Sequence, residues 1–130
     1  MKYVGVGTLT VKSIIADGAL PLQNTLVNIR GADEENRFVE YSLLTDSDGL
    51  TETVSLPTPS VEYSLSPNPT EIPYANYDIT AMADGYYPIN IVGVSVFANT
   101  HSLQVVNMIP IAENSKAPEE ALNFDTETSV

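Results

Sequence analysis

The residues of this chain whose types could carry chemistry are two acidic groups, one histidine and a set of tyrosines near prolines. Asp46 and Asp48 alternate ahead of Gly49, with Glu52 following. Calcium takes roughly six to eight oxygens, and an EF-type loop supplies them from alternating acids and a distal Glu. Only two acids alternate here and Glu52 comes too soon, so Asp46-Ser47-Asp48-Gly49 reads as a turn. Asp33, Glu34 and Glu35 form a denser acidic tip, which reads as a solvated loop. His101 is the only histidine and cysteine is absent. That leaves Ser-His and multi-histidine zinc chemistry almost impossible and removes thiol nucleophiles and thiolate zinc sites. No catalytic residue, metal site or cofactor is expected, and the chain reads as a non-enzyme.

The tyrosines are the strongest binding candidates. Pro57, Pro59, Pro67, Pro69 and Pro73 lie close in sequence to Tyr63, Tyr74, Tyr77, Tyr86 and Tyr87. Aromatic rings on a rigid loop can stack on a sugar or a proline-rich peptide. Tyr63, Tyr74, Tyr77 and Tyr87 are therefore candidate ligand or partner contacts, with Tyr74 and Tyr87 expected to be the most exposed. The competing reading is that these rings pack the loop onto the body of the domain.

The elements that must position these residues are strands. Of 130 residues, 34 are Val, Ile or Thr, and 16 are Gly or Pro, a mixture that suits a pleated, half-buried surface broken by turns. Val4 to Ile15 reads as a strand with a bulge at Gly7-Thr8, where the apolar parity switches. Further strands are expected at Thr25–Ile29, Phe38–Thr45 and Leu50–Leu56. A short edge strand is expected on Val61, Tyr63 and Leu65, then strands from Tyr77, at Ile89–Phe97 with a parity switch near Gly93, and at Ser102–Ile111. In the last of these, Leu103, Val105, Ile109 and Ile111 share a phase and Asn107 falls with them, so Asn107 is a candidate buried polar residue. Seven or eight short strands at this spacing predict an all-β sandwich or barrel. Residues 1–111 form that domain. Residues 112–130 hold five acids against Lys116 and read as a flexible, disordered acidic tail with one helical turn near Pro118 to Leu122.

Charge and hydropathy bound the partners. A formal charge of −12 argues against nucleic acid, whose phosphates need clustered Lys and Arg, and against anionic membranes. No run of apolar residues is long enough to insert in a membrane, and the first residues do not read as a signal peptide.

Three segments carry a family resemblance: Gly18 to Ile29 around Pro21; Thr45 to Leu50 with Val54-Ser55-Leu56-Pro57; and Tyr77 to Pro88 around Asp84-Gly85-Tyr86. In this order they resemble the carboxypeptidase regulatory-like family, small stand-alone bacterial type, and the likeness spans most of residues 5–111. It implies a transthyretin-like, Ig-like Greek-key β-sandwich and a non-catalytic accessory or surface role. Related surface sandwiches form an intramolecular Lys–Asn isopeptide bond, but here Lys12 has the opposite parity to its apolar neighbours and no acid lies in a core phase, so none is expected. The implied function is a structural or assembly module of a bacterial surface or extracellular structure, associating with itself or a protein partner through edge strands or termini. The alternative is a carbohydrate- or peptide-binding accessory domain using the Tyr/Pro loops, with a glycan as its ligand.

Overall fold

Alternating β-branched residues, interrupted by Asp-Gly turns, build two sheets, with nine strands among the described residues. They were traced in a computed structural model that describes residues 3–18, 20–60, 72–112 and 122–125. The strands are β1 (Gly5–Ile15), β2 (Leu20–Pro21), β3 (Leu26–Gly31), β4 (Glu40–Leu44), β5 (Val54–Thr58), β6 (Tyr74–Met82), β7 (Ile89–Phe97), β8 (His101–Asn107) and β9 (Leu122–Asp125). Seven of them have five or more residues, in keeping with the all-β expectation. The expected edge strand on Val61, Tyr63 and Leu65 lies outside the described residues, as does most of the tail. Within that tail, Leu122–Asp125 pair with β7 as a parallel strand.

β1 is the axis of the first, four-stranded sheet. β5 pairs antiparallel with its first half and β2 with Ile14 and Ile15, while β8 runs parallel to it from Thr8 to Ile14. The second sheet has the order β4-β3-β6-β7-β9. Leu9 and Val11 of β1 and Leu56 of β5 meet Val27 and Ile29 of β3, Tyr77 and Ile79 of β6 and Val96 of β7 in a common core. Removing such side chains from water is the main favourable term holding the sheets together. Among the described residues no buried side-chain polar atom lacks a partner. Ser13 and Thr25, for example, share a hydroxyl–hydroxyl bond of 2.8 Å.

The turns follow local chemistry. The Asp46 carboxylate accepts the amides of Asp48 and Leu50 at 2.9 and 3.1 Å, and Gly49 takes the positive φ (75°) that closes the turn. The parity switch near Gly93 is a bulge: Tyr77 faces Val94 and Ile79 faces Ile91, so β7 carries one extra residue. Gly93 has φ 73°, and its N–H donates to the Asp78 carboxylate at 3.2 Å.

Two phase assignments are corrected. Val4 and Val6 are exposed, and β1 pairs with β5 in unbroken register from Gly5 to Leu9, so there is no bulge at Gly7-Thr8. In β8 the inward residues are Val106 and Met108 just beyond it, whereas Leu103, Val105 and Ile109 face solvent. The parallel register decides this: Val106 lies beside inward Ser13, and Val105 beside Lys12.

Candidate interaction surfaces

Each strand of a sheet points its backbone N–H and C=O groups alternately to its two sides. In β1, the Thr8 amide donates to Thr100 O and the Ile14 carbonyl accepts from Met108, so even-numbered residues bond toward β8. Odd-numbered residues bond the other way, as the Ser13 amide does to Gly49 O and the Val11 carbonyl from Thr51. Carrying this alternation outward identifies the free edges. On β8 they are the backbone groups of His101, Leu103, Val105 and Asn107. On β5 they are those of Ser55 and Pro57.

The β5 edge is closed by side chains of the opposite sheet. Tyr41 of β4 donates its hydroxyl to the Ser55 carbonyl at 3.1 Å, and Tyr77 of β6 donates to the Pro57 carbonyl at 2.6 Å. Pro57 has no N–H to offer. The β8 edge has no such closure among the described residues. β8 pairs with β1 alone, and of its outward carbonyls that of Val105 accepts the Gln104 side-chain amide at 3.0 Å. Its sequence, HSLQVVN, has no proline, lysine or acid. Leu103 is 53% exposed and Val105 42%. A seven-residue, uncharged edge with apolar side chains is a template for another strand.

The tyrosines expected to form one binding surface are dispersed. Tyr77 is fully buried, which corrects its assignment as a ligand contact: it shares the inward phase of Ala75, Ile79 and Ala81. Burial pushes its hydroxyl pKa up to about 12. Tyr74 is half-buried and tilts onto Phe97 with ring centroids 5.4 Å apart. Tyr87, also half-buried, donates its amide to Ile109 O at 2.9 Å, beyond the far end of β6. β6, nine residues and roughly 27 Å long, lies between these two rings in the chain. Tyr63 lies outside the described residues. Asn107 is exposed, which corrects its assignment as a buried polar group, and it shares the outer face of the sheet with Lys12.

Nor is the acidic tip only a solvated loop. Asp33 accepts the Tyr3 hydroxyl at 2.8 Å, the Asn76 amide at 2.7 Å and the Asn76 side-chain amide at 3.1 Å. Fully buried Asn36 closes the cluster by donating to Asn76 O and accepting from the Asp33 amide. The fit leaves no room for a side chain on Gly31, whose added Cβ would meet the backbone of Asn36. Burial and the facing Asp33 carboxylate raise the Tyr3 pKa. The role is structural: it ties the N-terminal segment and the β3–β4 loop to β6. Among the described residues no three His, Cys, Asp or Glu side chains gather closely enough to hold a metal ion. His101 is exposed, with Nδ1 2.9 Å from the Thr8 hydroxyl.

Tyr86 combines packing with exposure at the surface. Its ring leans on the core and also walls two shallow depressions. One, of about 510 Å³, is lined by Leu22, Asn24, Met82, Asp84 and Pro88; the other by Ile15, Asn107, Ile109 and Pro110.

No family model and no curated protein matches the chain. Solved structures share its fold. The TIE protein of Bacillus anthracis superposes with a TM-score of 0.55 at 11% identity, over 82% of this chain and 17% of that one. The 3-chlorocatechol 1,2-dioxygenase of Rhodococcus opacus 1CP gives 0.57 at 11% identity, over 85% and 62%. A minor pilin of Streptococcus agalactiae gives 0.53 at 14% identity, over 89% and 49%. The chain thus spans less than two thirds of each of these proteins. At such identities the likeness is one of architecture, a β-sandwich. The carboxypeptidase regulatory-like resemblance rests on the three sequence segments.

Proposed function

We propose that this chain is a non-enzymatic structural module of a bacterial surface or extracellular structure, a transthyretin-like sandwich that associates through an open strand edge. The observation that carries the reading is the β8 edge, which is neutral, apolar on its outer face and without a strand partner among the described residues. Main-chain pairing gives affinity at such an edge, and outward side chains give selectivity. The sandwich architecture shared with a minor pilin and the TIE protein supports a surface role. A single histidine and no cysteine support the absence of catalysis. The alternative of a carbohydrate- or peptide-binding domain has less support, because Tyr74 and Tyr87 stand at opposite ends of β6 and Tyr77 is buried. Sedimentation equilibrium of the purified chain from micromolar to millimolar concentration tests the reading, with concentration-dependent association expected. A chain that stays monomeric throughout, and that captures no protein from the envelope or external fraction of its source cells, would sink it.

A further inference from the structure

The β8 edge is self-complementary, and we infer that its partner is a second copy of this chain, paired antiparallel across a two-fold axis at Gln104. This rests on the edge-association reading above and specifies its partner and register. An antiparallel register centred on Gln104 is the one that engages all seven residues of β8. It sets His101 opposite Asn107 and Leu103 opposite Val105 of the second copy, and each of these pairs occurs twice by symmetry. These are the odd-numbered residues, whose backbone N–H and C=O groups already face the free side, so each pair can exchange two main-chain bonds. Gln104 then faces its own copy in a pair without main-chain bonds.

Side chains fit the same register. Leu103 and Val105 lie on the outer face, exposed, and pairing sets each against an apolar residue of the second copy. Charge fits as well. The chain carries −12, yet β8 carries no acid or lysine, and the nearest outward charge on the adjoining strand is Lys12. No like charges are therefore set opposite one another, which is the arrangement that would oppose a dimer. The Gln104 amide on the Val105 carbonyl does not block the edge, because a carbonyl oxygen has two lone pairs. The result joins two four-stranded sheets into one continuous sheet across the axis.

Because the chain lacks cysteine, Gln104→Cys creates a unique thiol on the proposed axis. Residues facing each other without main-chain bonds sit about 4.5 Å apart at Cα, within disulfide reach. Under mild oxidation, full-length Q104C is expected to form a covalent dimer at least tenfold faster than Ser55→Cys on the closed β5 edge. Leu103→Lys with Val105→Lys, both at exposed positions, is expected to raise the dimer dissociation constant at least tenfold, with an unchanged melting temperature at dilutions where both chains are monomeric. Association of unchanged affinity in the lysine variant, or equal cross-linking of the two cysteine variants, would assign self-association to another surface and overturn this register alone. A wild-type chain that remains monomeric but captures an envelope protein would overturn the second copy as partner and leave the edge reading standing. A monomer that captures nothing would remove both.

Discussion

β5 and β8 flank the same strand, β1, and meet water in opposite ways. On β5 both outward carbonyls accept tyrosine hydroxyls from the facing sheet, and proline removes one of the outward amides. On β8 the outward groups belong to four successive odd-numbered residues with no proline and no formal charge. Sheets ordinarily blunt edges with charge, proline or a bulge. One edge here is blunted by proline and by capping from across the sandwich, whereas among the described residues the other has none of these devices. The difference teaches that open strand edges in this fold are not a default of its topology. The chain has the means to close an edge and applies them to one side.

Opening the closed edge is the sharpest test, and Tyr77→Phe is expected to have the largest effect. It leaves the ring in the core but removes the donor to the Pro57 carbonyl. An acceptor left unpaired in this partly buried setting costs about 1–2 kcal/mol, readable as a lower midpoint in urea unfolding. A pH signature goes with it. Burial raises the Tyr77 pKa from 10.0 to about 12, so the folded state holds this proton more tightly than the unfolded chain. That contribution is fully present below pH 10 and is lost as pH rises through about 12. Tyr3, raised by its own burial and by Asp33, acts in the same direction. Melting curves should therefore show the wild type losing stability over this alkaline window and Y77F losing less. Equal alkaline slopes would mean that burial does not hold the Tyr77 proton in the folded state.

Pro57→Ala follows in size. Proline limits the unfolded chain, so its loss costs roughly 0.5–1 kcal/mol where the native backbone suits it. The substitution also returns an amide to the β5 edge, opposite Val6 in register. Sedimentation should show a second, weaker mode of association that survives the lysine substitutions in β8. If P57A associates no more than the wild type, the tyrosine caps close that edge without help from proline.

Several elements of this contrast could be read directly from sequence, and others could not. The turns at Asp46–Gly49 and Asp84-Gly85 were legible because an Asp followed by a Gly at positive φ is a local device. The bulge at Gly93 showed itself as a parity switch between Ile91 and Val94 for the same reason. The face of β8 was not legible. Leu103, Val105 and Ile109 alternate convincingly, but Val106 and Met108 are also apolar, and a period of two does not say which set turns inward. Its parallel register with β1, set by tertiary pairing, decides that. Tyr77 was misplaced because nearness to prolines in sequence outweighed the parity it shares with inward Ile79 and Ala81. Asp33 looked solvated because its partners Tyr3 and Asn76 are about thirty and forty residues away. The caps on β5 were hidden in the same way, since no local pattern joins Tyr41 to Ser55 or Tyr77 to Pro57.

The smallest effect is expected at Tyr41, and its size decides what kind of device the capping is. Tyr41 is only half-buried, and its bond to the Ser55 carbonyl is open to water. In Tyr41→Phe water can take the vacated lone pair, so the loss should be about 0.5 kcal/mol, at the low end for a hydrogen bond. The folded chain should keep its wild-type sedimentation, because Pro57 still interrupts the edge. If the cap energies follow burial, Y41F and Y77F will differ severalfold, and urea midpoints of the two variants measured side by side will show it. Equal losses would mean that both hydroxyls act by positioning the β4–β5 and β6–β5 contacts, and the closed edge would then be a consequence of packing between the sheets.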